Sequence, residues 1–280
     1  MTGWLIYPKA EAEKNQWFAQ NLIEYAKNCD MDLKLKYTEN IAFGISQNEL
    51  CVKEELPQFV INRSFFSLLS EFFEKAGVRV FNNSFVSNIC NDKRKTHFYL
   101  ADKGIPMMDT LFFDRRFFSY DTEYIKYPCV VKPADGHGGE GVYIVNNKYE
   151  LSDAVKNYKS DCFLVQKIAD TKGKDLRVYV LGNKILAGAL RSSDIDFRSN
   201  FSLGGKAELY NISQKEQALI EKVISCFDFT YAGIDFIFDN GEMKLNEIED
   251  VVGARMLYSL TDLNVHKLFI DYIKKQMEAL

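Results

Sequence analysis

The sequence predicts an α/β amino-terminal part followed by a larger α+β part whose strands are antiparallel. Through the first ninety or so residues, strand signals alternate with helical ones, which is typical of a layered parallel sheet. A helical stretch then ends at Gly104-Ile105-Pro106, and beyond it strand signals dominate. We therefore expect an amino-terminal α/β domain over residues 1–90 and a second domain over residues 91–280.

Each element follows from a local hydrophobic pattern. In the first domain, the pattern predicts strands at Trp4–Tyr7, Gln58–Asn62 and Val78–Phe81, and helices at Glu11–Asn28 and around Phe65–Phe73. The second domain is expected to contain strands at Thr110–Phe113, Cys129–Lys132, Val142–Val145, Phe163–Gln166, Leu176–Leu181, Ile185–Leu190, Ile234–Phe238 and Lys244–Ile248. Its helices are expected at Asn91–Lys103, Tyr149–Tyr158, Gln214–Phe227 and His266–Met277.

Length and composition restrict the class of protein. The 280 residues suggest about two domains, and a hydrophobic content of 47% excludes a disordered chain. Thirty-five basic against thirty-nine acidic residues leave no basic excess of the kind that indicates nucleic-acid binding. No apolar segment approaches the ~20 residues of a membrane span, and none of the six cysteines stands in a C-x-x-C pair. We expect a soluble cytoplasmic protein with reduced thiols and neither a nucleic-acid nor a membrane partner.

A glycine-rich segment, Gly136-His137-Gly138-Gly139-Glu140-Gly141, matches the pattern G-x-G-x-x-G. A dinucleotide site requires a helix after this loop, but a predicted strand follows, and no Walker A lysine is present. Between antiparallel strands, such a loop can instead close its backbone N–H groups over a triphosphate, with Lys132 beside the α and β phosphates. The alternative is a flexible hairpin tip with a surface lysine.

Three carboxylates occupy a predicted hairpin near the carboxyl end. Asp235 lies within an apolar strand, and Glu247 and Glu249 share one face of the next strand. Their oxygens suit Mg2+, although a solvated strand face would also carry alternating charges. Asp235 faces Glu247 only if the turn has an odd number of residues. We therefore predict a three-residue loop, Asn240-Gly241-Glu242, in place of a two-residue Asn-Gly turn.

Arginines complete an ordered set of motifs. The chain presents Lys93, Lys132, the glycine loop, Gln166-Lys167-Ile168, Asp-x-Arg at 175–177, Arg191, Arg-Ser-Asn at 198–200, Asp235 and Glu-x-Glu in that order. This order resembles the ATP-grasp superfamily, most closely its RimK-like branch, over roughly residues 78 to 275. The resemblance implies two α+β subdomains that grip ATP between antiparallel sheets. A nucleotide lid would span about 91–167 and a metal and substrate subdomain about 168–280.

The resemblance also implies roles for individual residues. ATP and its phosphates would be bound by Lys93, Lys132, Gly138, Gly139, Gln166, Lys167, Ile168, Asp175, Arg198, Ser199 and Asn200. Catalysis would involve Arg177, Arg191, Arg198 and Asn200, and Mg2+ (or Mn2+) would be held by Asp235, Glu247 and Glu249. The implied activity is an ATP-dependent carboxylate–amine ligase that acts through an acylphosphate on amino-acid or peptide substrates. A homo-oligomer is compatible with the sequence.

Two departures from the family pattern keep other functions open. The family usually has Glu-x-Asn where this chain has Glu247-Ile248-Glu249, and its Ser/Pro-Gly is replaced by residues 250–255. An ATP-binding regulator that has lost catalysis, or a phosphotransferase, would fit as well. Arg255 would bind a substrate carboxylate or offset Asp250, and Arg63 is a candidate to reach the site from the first domain.

Overall fold

The amino-terminal part forms a four-stranded parallel sheet in a computed structural model, which describes residues 1–120, 122–193, 198 and 205–279. The elements are β1 (Thr2–Tyr7), α1 (Lys9–Lys14), α2 (Gln16–Asn28), β2 (Asp32–Tyr37), β3 (Phe43–Ser46), β4 (Glu49–Val52), β5 (Phe59–Asn62), α3 (Ser67–Lys75), β6 (Arg79–Phe81) and α4 (Ser84–Cys90). The sheet order is β2-β1-β5-β6, and every pairing in it is parallel. The parallel α/β prediction is confirmed.

Several of these elements differ from the sequence-based expectation. The predicted helix Glu11–Asn28 is two helices, because Asn15 leaves helical geometry and its side-chain amide donates to the Glu11 carbonyl at 2.9 Å. The pattern also missed β2, an edge strand that alternates charged and apolar residues, and the separate β3–β4 hairpin. An edge strand half in solvent carries too few apolar residues to be recognised by hydrophobicity.

A four-stranded antiparallel sheet follows. This part contains α5 (Lys93–Leu100), β7 (Thr110–Asp114), β8 (Cys129–Pro133), β9 (Tyr143–Val145), α6 (Lys148–Lys156) and β10 (Cys162–Lys167). The strand order is β7-β10-β8-β9, and all three pairings are antiparallel, as the sequence predicted. The helix expected over Asn91–Lys103 begins two residues later, with Asp92 as its amino-terminal cap.

The carboxyl-terminal part is built on a five-stranded antiparallel sheet. Its elements are β11 (Lys174–Leu181), β12 (Lys184–Ser192), β13 (Lys206–Tyr210), α7 (Gln214–Ile224), β14 (Tyr231–Asp239), β15 (Glu242–Glu249), α8 (Arg255–Leu260) and α9 (Val265–Glu278). The strand order is β13-β12-β11-β14-β15. The predicted strands and helices of this part are confirmed with small shifts, whereas β13 and α8 were not predicted. No helix among the described residues has the length and apolar character needed to cross a membrane.

One face of the five-stranded sheet changes character along its length. Tyr179 and Tyr231 lie in the core shared with the amino-terminal part, and both side chains are fully buried. On the same face, Arg177 lies two residues before Tyr179 on β11, and Asp235 lies four residues after Tyr231 on β14. Both of these side chains are charged and buried. The face therefore passes from hydrophobic packing into a polar region, which is where the candidate site lies.

Candidate active site

A cleft lies between the two antiparallel sheets. Most of the residues selected from the sequence line it, namely Lys93, Lys132, Gly139, Gln166, Lys167, Ile168, Asp175, Arg191, Arg198 and Glu247. Arg177, Asp235 and Glu249 adjoin it through the ion pairs described below, and Gly138 lies exposed in the glycine loop. Ser199 and Asn200 lie outside the described residues. The structure thus brings distant parts of the sequence together in one cleft.

Two lysines supply positive charge on one side of the cleft. Lys132 on β8 is buried, and its ammonium donates to the side-chain oxygens of Gln166 at 3.2 Å and Asn246 at 2.9 Å. Burial lowers the pKa of Lys132 to about 8 and outweighs the opposing attraction of Glu247. Lys93, the first residue of α5, contacts the Gly136 carbonyl and lies 3.1 Å from Oε2 of Glu247.

The β14–β15 hairpin brings the carboxylates together by a route that the sequence did not predict. Asp235 pairs with Glu247, as expected, but the turn is the two-residue Asn240-Gly241, with both residues at positive φ, so the predicted three-residue loop is wrong. A β-bulge at Asn246 restores the register, because Phe236 pairs with Leu245 and the next pair is Asp235 with Glu247.

The bulge also decides which side chains face the cleft. Before it, Met243 and Leu245 point into the core; after it, Ile248 does so. If β15 alternated regularly through Asn246 with no bulge, Glu247 and Glu249 would lie on the core face with Leu245. The bulge turns both carboxylates to the charged face instead.

The three carboxylates form a group that suits a hard cation. Asp235, Glu247 and Glu249 each offer an oxygen, and these oxygens lie within 4.8 Å of one another. Oxygen-only donors are the ligands that Mg2+ prefers. Lys93 contacts Oε2 of Glu247, and Arg177 contacts Oε1 of Glu249 at 2.7 Å. As far as the described residues show, the other oxygen of each glutamate is left for a cation. The residues present therefore fit the metal that the resemblance implies.

Asp235 is held more tightly than its two neighbours. Its Oδ1 accepts from Arg177 Nε at 2.7 Å, and its Oδ2 accepts from Arg177 Nη2 at 2.6 Å and Arg191 Nη2 at 2.7 Å. Arg191 also donates to both oxygens of Asp175, at 2.5 and 2.6 Å. This chain of alternating charges fixes the orientation of both guanidinium groups.

The same contacts set the protonation of the carboxyl groups. Burial opposes ionisation of Asp235, but Arg177 and Arg191 outweigh it and lower its pKa to about 2. Burial is likewise outweighed at Glu247, whose pKa is lowered chiefly by Lys93. At Glu249 burial prevails over the attraction of Arg177, and the pKa is raised. The pKa of Glu249 is thus shifted in the opposite direction to those of Asp235 and Glu247.

The glycine loop connects β8 to β9 at the edge of the cleft. Gly138, Gly139 and Gly141 all have positive φ, a conformation that favours glycine. Besides the Lys93 contact to Gly136, the Arg198 Nη1 donates to the Gly139 carbonyl at 3.0 Å. Residues from two separate parts of the chain thus hold the loop next to the cleft.

Arg63 and Arg255 have different surroundings. Arg63 is buried and donates from Nη2 to the Val252 carbonyl at 2.9 Å, so it contacts the loop that follows the Glu-x-Glu motif. Arg255 is exposed at the start of α8 and forms no ion pair with Asp250 within 4.0 Å. Asp250 is buried, and burial raises its pKa to about 7. The offsetting role suggested for Arg255 is therefore not seen.

Asn246 is among the cleft residues that sequence analysis did not select. Asn246 is the bulge residue, and its side-chain oxygen accepts a hydrogen bond from Lys132. Its backbone carbonyl lies 2.9 Å from the ring nitrogen Nε2 of His97. Burial lowers the pKa of His97 to about 4, so this imidazole is neutral and donates to that carbonyl. An asparagine inside an alternating strand was the available signal, but only the register reveals its role.

Comparison with known proteins identifies the fold. D-alanine–D-alanine ligase from Bacillus anthracis, solved with ATP, superposes with a TM-score of 0.73 over 99% of this chain and 97% of that chain, at 15% sequence identity. That likeness shows the fold, which is the ATP-grasp fold.

Sequence relatives support the same grouping. Human N-acetylaspartylglutamate synthase A is 32% identical over 214 residues, 71% of this chain and 53% of the relative, so this chain spans about half the length of that protein. A probable alpha-L-glutamate ligase from Legionella pneumophila is 28% identical over 216 residues, 74% of this chain and 70% of the relative. The family model of the RimK-like ATP-grasp domain matches residues 90–273. The chain belongs to the RimK-like ATP-grasp family.

Proposed function

We propose that this chain is an ATP-dependent ligase that joins a carboxylate to an amine through an acylphosphate. The observation that carries the proposal is that two buried lysines line the same cleft as Glu247, which groups with Asp235 and Glu249 beside it. Lysines bind phosphate as point charges, and a carboxylate group of this kind binds the divalent cation that accompanies ATP. Family membership and the ATP-grasp fold support the same assignment.

Each side of the cleft has a role in this proposal. Lys93 and Lys132 hold the phosphates, and the glycine loop covers them. Residues Gln166 to Ile168, at the end of β10, line the cleft where the adenine would lie. Arg191 and Arg198 also line it and carry donors that suit a phosphoryl group and a substrate carboxylate. Arg177 acts as a positioning residue, because its contacts are with Asp235 and Glu249.

The proposed reaction has two transfers. A carboxylate oxygen of the first substrate attacks the γ-phosphorus, and ADP leaves. The amine nitrogen of the second substrate then attacks the acyl carbon, phosphate leaves, and the nitrogen loses a proton to solvent. Mg2+ bound by Glu247, Glu249 and Asp235 would neutralise part of the negative charge of the phosphates. The protein itself contributes orientation and charge stabilisation, which account for most of the catalysis of phosphoryl transfer.

Amino acids or peptides are the proposed substrates. Both relatives named above carry glutamate in their names, as an N-acetylaspartylglutamate synthase and an alpha-L-glutamate ligase. L-Glutamate is therefore the first amine to offer. The acid partner is to be sought among free amino acids, N-acylated amino acids and peptide carboxyl termini.

A screen of ADP release tests the proposal. Pairs of acids and amines are incubated with protein, Mg2+ and ATP, and mass spectrometry detects the product. We expect an amide that lacks one water relative to its two substrates, formed together with ADP. A stable phosphorylated product without amide would indicate a phosphotransferase instead.

A non-catalytic ATP-binding protein is the second candidate. The observation that favours it is that both oxygens of Asp235 already accept hydrogen bonds from arginines. In that case an ATP analogue would bind with ordinary affinity, yet no acceptor pair would stimulate ADP release above the background without substrates.

Lys132 should control nucleotide affinity. We expect Lys132→Ala to weaken binding of a non-hydrolysable ATP analogue by about 1.5–3 kcal/mol, the range for a hydrogen bond to a charged group. Isothermal titration calorimetry measures the affinity, and circular dichroism checks that the variant is folded. Wild-type affinity in a folded variant would remove Lys132 from the phosphate site.

The lowered pKa of Lys132 gives this binding a pH dependence. Above about pH 8, Lys132 of the free protein is increasingly neutral. Binding of a phosphate then requires Lys132 to take up a proton. Affinity is expected to fall as the pH rises beyond 8, by up to about tenfold per unit. The Lys132→Ala variant should lack this pH dependence. The comparison therefore distinguishes titration of Lys132 from titration of other groups.

The glycine loop should respond to nucleotide. Backbone amides of residues 136–141 are expected to exchange with deuterium rapidly without an ATP analogue and slowly with it, because glycines allow many backbone states until contacts select one. Hydrogen-exchange mass spectrometry measures this. Equal exchange in both states would contradict a covering role for the loop.

A further inference from the structure

A short turn after β5 contacts the glycine loop and the loop that follows the Glu-x-Glu motif. Arg63 reaches the Val252 carbonyl beyond the Glu-x-Glu motif, at 2.9 Å. Two residues later, the Phe65 ring stacks on the His137 ring of the glycine loop, with centroids 4.1 Å apart and planes inclined by 26°. The turn therefore joins the amino-terminal sheet to the loop that covers the phosphates and to the loop beside the carboxylates.

The turn is built so as to present Phe65 to the glycine loop. The buried Asn62 accepts at Oδ1 from the Ser64 backbone N–H at 3.0 Å and from the Ser64 hydroxyl at 2.6 Å. Its Nδ2 donates to the Phe66 carbonyl at 3.2 Å and to the Ser70 hydroxyl at 2.8 Å. These bonds span the turn on both sides of Phe65 and fix its backbone.

Phe65 itself adopts an unusual backbone conformation. Its φ is +57°, in the left-handed region that a bulky residue rarely enters. Such a residue persists only where its surroundings hold it there, and it is often found at functional segments. This backbone conformation places the Phe65 ring against the glycine loop. The glycines of that loop leave its backbone flexible.

We infer that Phe65 is a positioning residue that holds the glycine loop closed over the cleft by stacking on His137. A closed loop keeps water from the reacting centre. An acylphosphate exposed to water would be hydrolysed to free acid and phosphate, with ATP consumed and no amide formed. Phe65 thus couples ATP consumption to amide formation. This coupling role rests on the proposed function, but the role of Phe65 in closing the loop does not.

The test uses two substitutions of Phe65 and one matched control. Phe65→Gly removes the ring and suits a positive φ, so the turn should keep its conformation without backbone strain. Phe65→Tyr keeps the ring. Phe66→Ala removes an aromatic ring from the same turn, but that ring contacts Phe43, with centroids 5.8 Å apart, instead of the glycine loop.

Hydrogen exchange of residues 136–141 with a bound ATP analogue tests the closure of the loop. Phe65→Gly is expected to speed exchange by about 2- to 10-fold, the range of an aromatic pair, while Phe65→Tyr and Phe66→Ala match the wild type. Adding His137→Ala to Phe65→Gly should give no further increase, because the pair is already broken. Wild-type exchange in Phe65→Gly would overturn the inference.

Product ratios test the coupling. With an active substrate pair, Phe65→Gly is expected to form less amide per ADP than the wild type, and Phe65→Tyr should restore the ratio. An unchanged ratio in Phe65→Gly, together with faster loop exchange, would overturn the coupling role. If the wild type forms no amide with any pair, the proposed function fails, yet the exchange experiment still decides whether Phe65 holds the loop.

Discussion

Replacement of Glu247 by glutamine is expected to abolish magnesium-dependent turnover, with a loss of about 100-fold or more. Glu247 lines the cleft, lies directly opposite Asp235, and offers a second oxygen beyond the one that Lys93 contacts. Glutamine keeps the shape of the side chain but removes the charge that attracts the cation and balances Lys93. ADP release over a series of Mg2+ concentrations measures the effect.

Glu249→Asn is the matched control for this change. It also removes one negative charge from the same strand, but it restores the residue that the family usually carries at this position, so turnover should be retained. Its partner Arg177 keeps two hydrogen bonds to Asp235. Full activity in Glu247→Gln would exclude Glu247 as a ligand, and complete inactivity in Glu249→Asn would mean that this chain depends on its second glutamate.

Arg177→Met is expected to lower the free energy of unfolding by about 3–5 kcal/mol, the effect of breaking a buried ion pair on one side. Arg177 and Asp235 are both buried, and Arg177 also pairs with Glu249. Methionine fills similar space but leaves two carboxylates with less compensation in an enclosed region. Urea denaturation followed by circular dichroism measures the loss.

A second arginine in the chain provides the control for burial. Arg116 donates from Nε and Nη2 to the two oxygens of Asp114 at 2.9 and 2.6 Å, the same geometry as Arg177 with Asp235, but 62% of its side chain is exposed. Arg116→Met should change stability little or not at all, because water screens the pair. Equal losses in the two variants would show that burial does not govern this network.

The Arg177 network also predicts the effect of acid. The pKa of Asp235 is lowered from 3.8 to about 2, so its contribution to stability is complete above pH 4 and is lost as the pH falls through 2. In Arg177→Met the pKa of Asp235 should rise, and the loss should begin at a higher pH. Acid unfolding of the two proteins separates these outcomes.

Most of the strands in the second part of the chain could be predicted from the sequence. Segments such as Leu176–Leu181 and Ile234–Phe238 are rich in β-branched or aromatic residues, and their bounds differ from β11 and β14 by only a few residues. Of the residues that meet in the cleft, Asp235 was recognised because a carboxylate inside an apolar strand is unusual. Most of the others were selected because the order of the motifs resembles the ATP-grasp superfamily.

Features that depend on the register or on distant contacts could not be predicted. The bulge at Asn246 has no signature in composition, and counting residues from the turn led to the wrong loop length. The stack of Phe65 on His137 joins residues 72 positions apart (137 − 65), and neither residue type suggests the other. Such contacts are set by how the sheets pack, which no local pattern encodes.

The bulge makes β15 a strand with two alternations in opposite phase. From Glu242 to Leu245 the odd-numbered positions serve the core, and from Glu247 onwards they serve the charged face. A strand with the same residues but no bulge would exchange the contents of core and cleft beyond Leu245, although every carboxylate would remain in the sequence. Removal of Asn246 would instead leave Asp235 opposite Glu247 in a regular ladder, because the hairpin would then contain no extra residue.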